Sequence, residues 1–232
     1  MEVVNPHYDE AYFGWQRSAG ILGASLDRWK FVPFISKDDK VLDFGCGGGY
    51  LLASLDCEVR YGIEVNPVAR TEAEQRLTAF AGFEQIPEDL QVDAVISHHA
   101  LEHVDDPLGT MRALRRLLRP GGRCVVVVPS ECWWRGRRFR RDDINHHLYT
   151  WNPLLLGNLF ERAGFRVLEA EPLCHCWLPK ARITSRLMPQ SWFDIGSRLR
   201  GLLTFSRQVR VVACNPGKSG PEEPVGRGDN HQ

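Results

Sequence analysis

The sequence predicts an α/β protein with a doubly wound, mostly parallel, seven-stranded sheet and an antiparallel edge strand. Short apolar runs end at turn residues, which is typical of buried parallel strands, and they lie at 40–44, 59–64, 92–97 and 124–128. Segments with helical periodicity alternate with these runs. Because strands that alternate with helices form βαβ units, most of the sheet is expected to be parallel and covered on both faces.

Helices are predicted at residues 50–55, 67–77 and 108–118. The third is amphipathic and stops at the Pro-Gly-Gly of residues 120–122. A short third strand is expected at 77–80, and residues 83–90 are compatible with either a helix or a loop.

The second half of the chain predicts a helix at 152–162, closed by Gly164. Strands are predicted at 165–170 and 209–214. No clean crossover helix joins these two strands, so an antiparallel pair at the edge of the sheet is expected.

Three regions are expected along the chain. The aromatic-rich residues 1–34 form a helical cap, and residues 35–215 form the main domain, which contains a basic segment at 131–149 and an insert at 177–206. Residues 216–232 contain Gly, Pro and charged residues without apolar anchors, so a disordered tail is predicted.

Composition excludes several classes of protein. The 232 residues contain 29 Lys plus Arg and 29 Asp plus Glu, so no overall charge attracts nucleic acid. The seven cysteines are an odd number without repeated spacing, which favours a reducing cytoplasm. Neither a signal peptide nor a transmembrane segment is evident, although peripheral association with membranes stays open.

A glycine-rich turn follows the first predicted strand, with the sequence DFGCGGG at residues 43–49. Such a turn brings the backbone and free amides close to a ligand. The dinucleotide fingerprint requires a small residue at its third position, but Tyr50 or Leu52 stands there. Asp43 would repel a pyrophosphate and suits a ligand with a cationic group. Glu64, 21 residues further on, is placed to accept hydrogen bonds from ribose hydroxyls.

With these residues, the sequence resembles the class I S-adenosylmethionine-dependent methyltransferase family, and in particular its small-molecule subgroup. The resemblance is carried by residues 41–49, 61–64, 92–107 and 117–122, and residues 163–167 also match. It implies a Rossmann-like fold and S-adenosylmethionine as the cofactor.

Seven cofactor-binding residues are expected: Asp43, Gly45, Cys46, Gly47, Glu64, Val65 and His98. By the resemblance, Glu64 binds the ribose diol, Val65 packs on adenine, and His98 lies near the transferring methyl group. Cys46 is expected to contribute its backbone amide. No residue in 79–84 is an obvious contact for the adenine amino group.

The motif H-x-x-E-H at residues 99–103 matches a zinc peptidase pattern. It begins at the mouth of a strand, whereas zinc binding requires a helix and a further ligand, so no metal is expected. Glu102 and His103 are expected instead to fix the loop through hydrogen bonds. Residues 174–176 (CHC) are expected to be a structural thiol pair.

The basic run at residues 133–141 permits three interpretations. It is a solvated loop, a nucleic-acid contact, or a mobile lid in which Arg137, Arg138 and Arg141 bind an anionic substrate. Further along, His146 or His147 is a candidate general base, since imidazole titrates near neutrality. A capping or core role for either histidine stays open.

These observations predict a methyltransferase acting on a small, anionic acceptor such as a sugar or nucleotide-sugar hydroxyl, with nucleic acid disfavoured as a substrate. The alternatives are an RNA or protein methyltransferase and a catalytically inactive cofactor-binding module. The sequence does not indicate an oligomeric state.

Overall fold

The computed structural model describes residues 10–130, 138–139, 141, 143, 145–205 and 207–217, leaving out the side chains of 10–13, 15 and 16. Seven strands form one sheet in the order β3-β2-β1-β4-β5-β7-β6. Their bounds are Lys40–Phe44 (β1), Val59–Ile63 (β2), Thr78–Phe80 (β3), Val92–His98 (β4), Leu118–Ser130 (β5), Arg166–Cys174 (β6) and Arg207–Cys214 (β7). The first five strands pair in parallel, and β7 lies antiparallel between β5 and the edge strand β6. This confirms the predicted fold class, with the antiparallel strand one position in from the edge.

Seven α-helices are present in the described part of the chain: Glu10–Leu26 (α1), Tyr50–Ala53 (α2), Pro67–Ala73 (α3), Pro107–Leu117 (α4), Pro153–Arg162 (α5), Ala181–Leu187 (α6) and Gln190–Thr204 (α7). Three of them begin with the same capping arrangement. Asn66, Asp106 and Asn152 each accept backbone N–H bonds with their side chains, and a proline follows each one at the first helical position. Since that position has no intrahelical partner for its N–H, proline starts the helix without losing a hydrogen bond.

Several bounds differ from the prediction; for example, β5 begins at Leu118 instead of residue 124, and α3 ends at Ala73 instead of residue 77. Residues 83–90 contain only a short 3-10 turn, Phe83–Gln85. The strand predicted at 165–170 extends to Cys174, because β6 pairs with β7 along its full length, from Arg166 opposite Cys214 to Cys174 opposite Arg207. Backbone hydrogen bonds carry this ladder, so it continues beyond the apolar run that marks it in the sequence.

The central strands are buried on both faces. Residues 125–128 of β5 have no exposed surface. Alternate residues belong to two different core clusters, with Val126 and Val128 on one face and Val125 and Val127 on the other. This explains why the sequence of β5 is a continuous apolar run and does not alternate between apolar and polar residues.

The predicted N-terminal cap packs against the carboxyl-terminal part of the chain. Leu26 at the end of α1 forms a buried cluster with Ala181 of α6 and Phe193 of α7. The Trp177 indole N–H donates to Asp27 Oδ1 at 3.3 Å. The cap and the insert therefore form one continuous cover. Among the described residues, no helix has the length and apolar character needed to span a membrane.

Candidate functional site

The turn after β1 has a backbone that only glycine accommodates easily. Gly45 and Gly47 have left-handed φ angles of 74° and 53°. A Cβ on Gly45 would overlap the Cβ of Ala100, which follows β4. The N–H groups of Gly45 and Cys46 both donate to the carbonyl of Ile63, at 2.9 and 3.1 Å. The Cys46 amide thus donates to the end of β2, whereas the sequence predicts that it contributes to cofactor binding.

Glu64 connects this turn to the loop after β2. Its Oε2 accepts the Gly47 N–H at 2.8 Å, and its Oε1 accepts the Asn66 N–H at 2.8 Å. Burial raises the pKa of Glu64, and the two backbone N–H groups oppose this increase. Next to it, the side chain of Val65 is 58% exposed. Such an exposed apolar side chain beside a carboxylate suits a ligand that has an apolar ring and hydroxyl groups.

Asp43 is a buried carboxyl group with one unpartnered oxygen. Its side chain is 2% exposed, and Oδ1 has no hydrogen-bond partner in the described part of the chain. Burial, and then the charge of Glu64, raise the pKa of Asp43 well above its usual range. A cationic ligand at this turn would stabilise the two carboxylates, so the residues fit the ammonium and sulfonium of S-adenosylmethionine.

His98, at the end of β4, contacts a buried ion pair. Lys30 is completely buried, and its ammonium lies 2.7 Å from Asp27 Oδ1 and 3.1 Å from His98 Nε2. Burial, and then the charge of Lys30, hold the pKa of His98 well below its usual value. The imidazole is therefore neutral, and Nε2 accepts a hydrogen bond from Lys30. Neither Lys30 nor Asp27 is predicted from the sequence, because no motif marks a lone ion pair in an aromatic segment.

A second cluster follows directly after β4. The carboxylate of Glu102 is fully buried, and its Oε1 lies 3.9 Å from His103 Nε2 and 4.0 Å from His147 Nε2. The two imidazole rings meet edge to face at 4.9 Å. Burial, and then the charge of His147, lower the pKa of His103 to about 4. We call Glu102, His103 and His147 the histidine–glutamate trio.

Backbone geometry brings the members of this trio together. His99 adopts a left-handed φ of 56° and lies with its Nδ1 4.0 Å from Glu102 Oε1. The N–H groups of Leu148 and Tyr149 donate to the Glu102 carbonyl, at 2.9 and 3.3 Å. These bonds hold the segment after β5 across the end of β4. Strained non-glycine residues of this kind often occur at functional sites.

The two candidate histidines differ in their surroundings. His147 belongs to the trio, whereas His146 has a left-handed φ of 47° and its backbone N–H donates to Asp143 Oδ2 at 3.1 Å. The sequence cannot distinguish these neighbours. The tertiary contacts place the carboxylate of Glu102 near His147, an arrangement that orients a histidine base in catalytic triads.

The trio also has ligand types that suit a divalent metal ion. One ligand atom from each member lies within 4.8 Å of the others. Two imidazoles and a carboxylate are common ligands of zinc. The H-x-x-E-H motif itself lies on a loop and a 3-10 turn, Leu101–His103, so the zinc-peptidase helix is not formed. The expectation that no metal binds stays a prediction.

The predicted substrate-binding arginines are only partly described. Arg138 and Arg141 are exposed, and Arg137 lies outside the described residues. Cys132 is also outside them, and the six described cysteines, including Cys174 and Cys176, are free thiols.

Comparisons with known proteins agree with this fold. Residues 21–170 match the family described as "Methyltransferase domain". A ubiquinone biosynthesis O-methyltransferase of Cereibacter sphaeroides is 36% identical over 45% of this chain and 47% of its own length. The chain therefore spans about half the length of the curated relatives it matches.

Two solved structures share the fold. The complex of the Haloferax volcanii Trm112 methyltransferase activator with a methyltransferase aligns with a TM-score of 0.62 and 21% identity, over 90% of this chain and 99% of that one. Haemonchus contortus phosphoethanolamine N-methyltransferase 2, in complex with S-adenosylhomocysteine, aligns with a TM-score of 0.56 and 15% identity, over 85% of this chain and 58% of that one. The chain belongs to the methyltransferase domain family, as a class I, S-adenosylmethionine-dependent member.

Proposed function

We propose that this protein transfers a methyl group from S-adenosylmethionine to a hydroxyl oxygen of a small acceptor. The histidine–glutamate trio supports the proposal, because the imidazole of His147 lies 4.0 Å from the buried carboxylate of Glu102, directly after β4. His98 and His99 link the two sites, with ring centroids 4.4 Å apart. The name of the relatives, O-methyltransferase, supports an oxygen acceptor.

The turn after β1 and the loop after β2 would hold the cofactor. Glu64 would bind the ribose diol, Asp43 would offset positive charge, and Val65 would pack on the adenine. When bound, S-adenosylmethionine supplies an electrophilic methyl group whose transfer removes the positive charge on sulfur. The protein's own tasks are to align the acceptor with that methyl group and to exclude water.

A hydroxyl acceptor must lose its proton as it attacks. His147 Nδ1 would accept that proton, while Nε2 faces Glu102 Oε1 at 4.0 Å. The buried carboxylate of Glu102 stabilises the imidazolium that forms. His103 packs against the His147 ring and restricts its orientation.

The acceptor that we propose is anionic and of the size of a sugar or nucleotide-sugar. The support is the basic segment after β5, where Arg137, Arg138 and Arg141 would bind carboxylate or phosphate groups. We further propose a cytoplasmic location, since the described cysteines are free thiols.

The cofactor part is tested by calorimetry with S-adenosylmethionine and NAD on the wild type and on Glu64→Ala. We expect binding of S-adenosylmethionine alone, weakened at least about tenfold in the variant, which loses its hydrogen bonds to the ribose. Binding of NAD without S-adenosylmethionine would contradict the proposal.

The catalytic part is tested by methyl transfer from labelled cofactor to a panel of hydroxylated sugar phosphates and phenols. His147→Asn is expected to lower kcat about 100-fold or more without changing cofactor affinity, because general base catalysis contributes roughly that factor. His146→Asn is the matched control and should retain most of the activity. Equal losses of kcat in both variants would contradict the assignment of His147 as the general base.

Adding a chelator to the assay distinguishes direct proton transfer from metal-assisted proton transfer at the trio. We expect the rate of methyl transfer to be the same with and without the chelator. Loss of activity that added zinc or magnesium restores would instead show that the trio acts as a metal site.

A further inference from the structure

Helix α7 carries an apolar stripe that faces solvent. Ile195, Leu199 and Leu203, at spacings of four residues, are 54%, 56% and 82% exposed. Trp192 and Leu202 lie beside them and are 68% and 55% exposed. A surface helix of a globular protein normally turns such a stripe toward the core.

The opposite face of α7 is the one that packs on the protein. Phe193, Ser197 and Gly201 recur every four residues and are buried. A Cβ on Gly201 would lie 2.8 Å from the backbone N of His175, so the helix is pressed against the end of β6. The buried and exposed faces are about half a turn apart, and the exposed apolar stripe is therefore a separate feature from the core.

Helix α6 continues the same surface. Ala181 is buried against Leu26 and Phe193, whereas Ile183 and Leu187 are 54% and 79% exposed. The two helices contact one another. Phe205, directly after α7, is 48% exposed. We call the exposed apolar side chains of these two helices and Phe205 the insert surface.

Positive charge borders the insert surface. Residues 180–205 contain five basic residues and one acidic residue, although the whole chain has a formal net charge of zero. Lys180, Arg182, Arg186 and Arg198 are exposed. On α6 the two arginines lie along one side of the stripe formed by Ile183 and Leu187, a position from which long basic side chains reach lipid headgroups.

We propose that the insert surface docks on an anionic membrane interface. A helix with Trp, Leu and Ile on one face and basic residues at its border lies in the plane of such an interface, where its apolar side chains enter the headgroup boundary. The basic border complements anionic lipids. The inference does not depend on the proposed methyl acceptor.

A chain of contacts runs from the start of the insert to the candidate active site. Trp177, just before α6, donates to Asp27, and Asp27 pairs with the Lys30 that contacts His98. The insert thus contacts, through Trp177, the ion pair that supports His98.

Co-sedimentation with lipid vesicles tests the proposal. The full chain is expected to bind vesicles of phosphatidylglycerol and phosphatidylcholine at least about tenfold more tightly than vesicles of phosphatidylcholine alone, and salt should weaken the binding. Leu199→Ser with Leu203→Ser should weaken it by about tenfold or more. Arg182→Gln with Arg186→Gln should weaken binding to the anionic vesicles alone, by roughly thirtyfold.

The matched control is Leu154→Ser with Leu155→Ser, which removes two exposed leucines from α5 at 71% and 51% exposure. It should bind vesicles like the wild type, and circular dichroism should show that all variants are folded. Absence of vesicle binding by the wild type, or equal losses in the control, would overturn the proposal. So would a concentration-dependent dimer in analytical ultracentrifugation that Leu199→Ser with Leu203→Ser abolishes, because the surface would then be occupied by a second copy.

Discussion

At the scale of single residues, Gly45 meets two requirements at once. Its φ of 74° disfavours any side chain, and the Cβ of Ala100 occupies the space that a side chain would need. The turn after β1 can therefore lie directly against the loop after β4. This close approach brings the glycine turn next to the end of β4, which carries His98.

Gly45→Ala is expected to lower the free energy of unfolding by roughly 2–4 kcal/mol, because the left-handed φ and the overlap with Ala100 both add cost. Urea denaturation measures the loss. The double variant with Ala100→Gly should recover the part caused by the overlap and retain the part caused by φ. A double variant no more stable than Gly45→Ala would show that the contact with Ala100 carries none of the cost.

The pKa of His103, at about 4 instead of the ordinary 6.5, predicts a dependence of stability on pH. Between these two values the unfolded chain binds a proton that the folded protein does not bind. The contribution of His103 to the free energy of unfolding is therefore fully present above about pH 6.5, and it is lost as the pH falls toward 4. From pH 7 to pH 5 the loss is on the order of 2 kcal/mol. His103→Gln should reduce the fall in stability measured by urea denaturation at the two pH values, and an unchanged fall would contradict the assignment.

At the scale of elements, the 3-10 turn Arg28–Lys30 after α1 fixes the predicted cap to the sheet. The turn buries Lys30 completely, and Asp27, directly before it, pairs with the ammonium. A buried pair adds little net stability compared with an apolar pair, but breaking it leaves an uncompensated charge. Lys30 therefore matters for the docking of the cap and for the orientation of His98.

Lys30→Met is expected to lower the free energy of unfolding by about 3–5 kcal/mol, since it leaves Asp27 buried without its ammonium partner. Adding Asp27→Asn should restore a part of this loss. Thermal or urea unfolding measures both variants. If Lys30→Met is as stable as the wild type, the ion pair is not what holds the cap.

At the scale of the whole molecule, Asn215 marks the last firm anchor that the structure describes. Its side-chain amide donates to the carbonyls of Leu118 and Arg115, at 2.7 and 3.3 Å, and its backbone pairs with Gly121 and Gly122. These bonds tie the end of β7 to the start of β5. The tail predicted at 216–232 lies beyond this anchor, and residues 218–232 are outside the described part of the chain.

Deleting residues 218–232 is expected to change the free energy of unfolding by less than about 0.5 kcal/mol, because the deleted segment has no apolar anchors. Deleting residues 215–232 should cost roughly 2–4 kcal/mol, as the buried groups that bind Asn215 lose their partners. Urea denaturation of the two truncations measures the difference. A comparable loss in both would mean that the tail packs on the domain.

Local patterns determined the fold class and predicted where the candidate cofactor site lies. Strands that are buried on both faces are continuous apolar runs in the sequence. Three helices begin after a capping residue that proline follows, at Asn66, Asp106 and Asn152. A glycine turn needs particular residues at fixed spacings. Each of these signals depends on neighbours in the sequence, so the sequence by itself was sufficient. The order of strands at the edge was only partly predicted, since the insertion of β7 between β5 and β6 depends on backbone pairing over long separations.

The tertiary structure alone decided which ionisable groups meet. Lys30 and His98 are 68 residues apart, and 45 residues separate Glu102 from His147, so no spacing rule connects them. It also decided that the apolar residues of α7 face solvent, because an amphipathic pattern indicates a stripe without showing what covers it. Burial and charge act through space, and for this reason the candidate base and the insert surface became visible only in the folded chain.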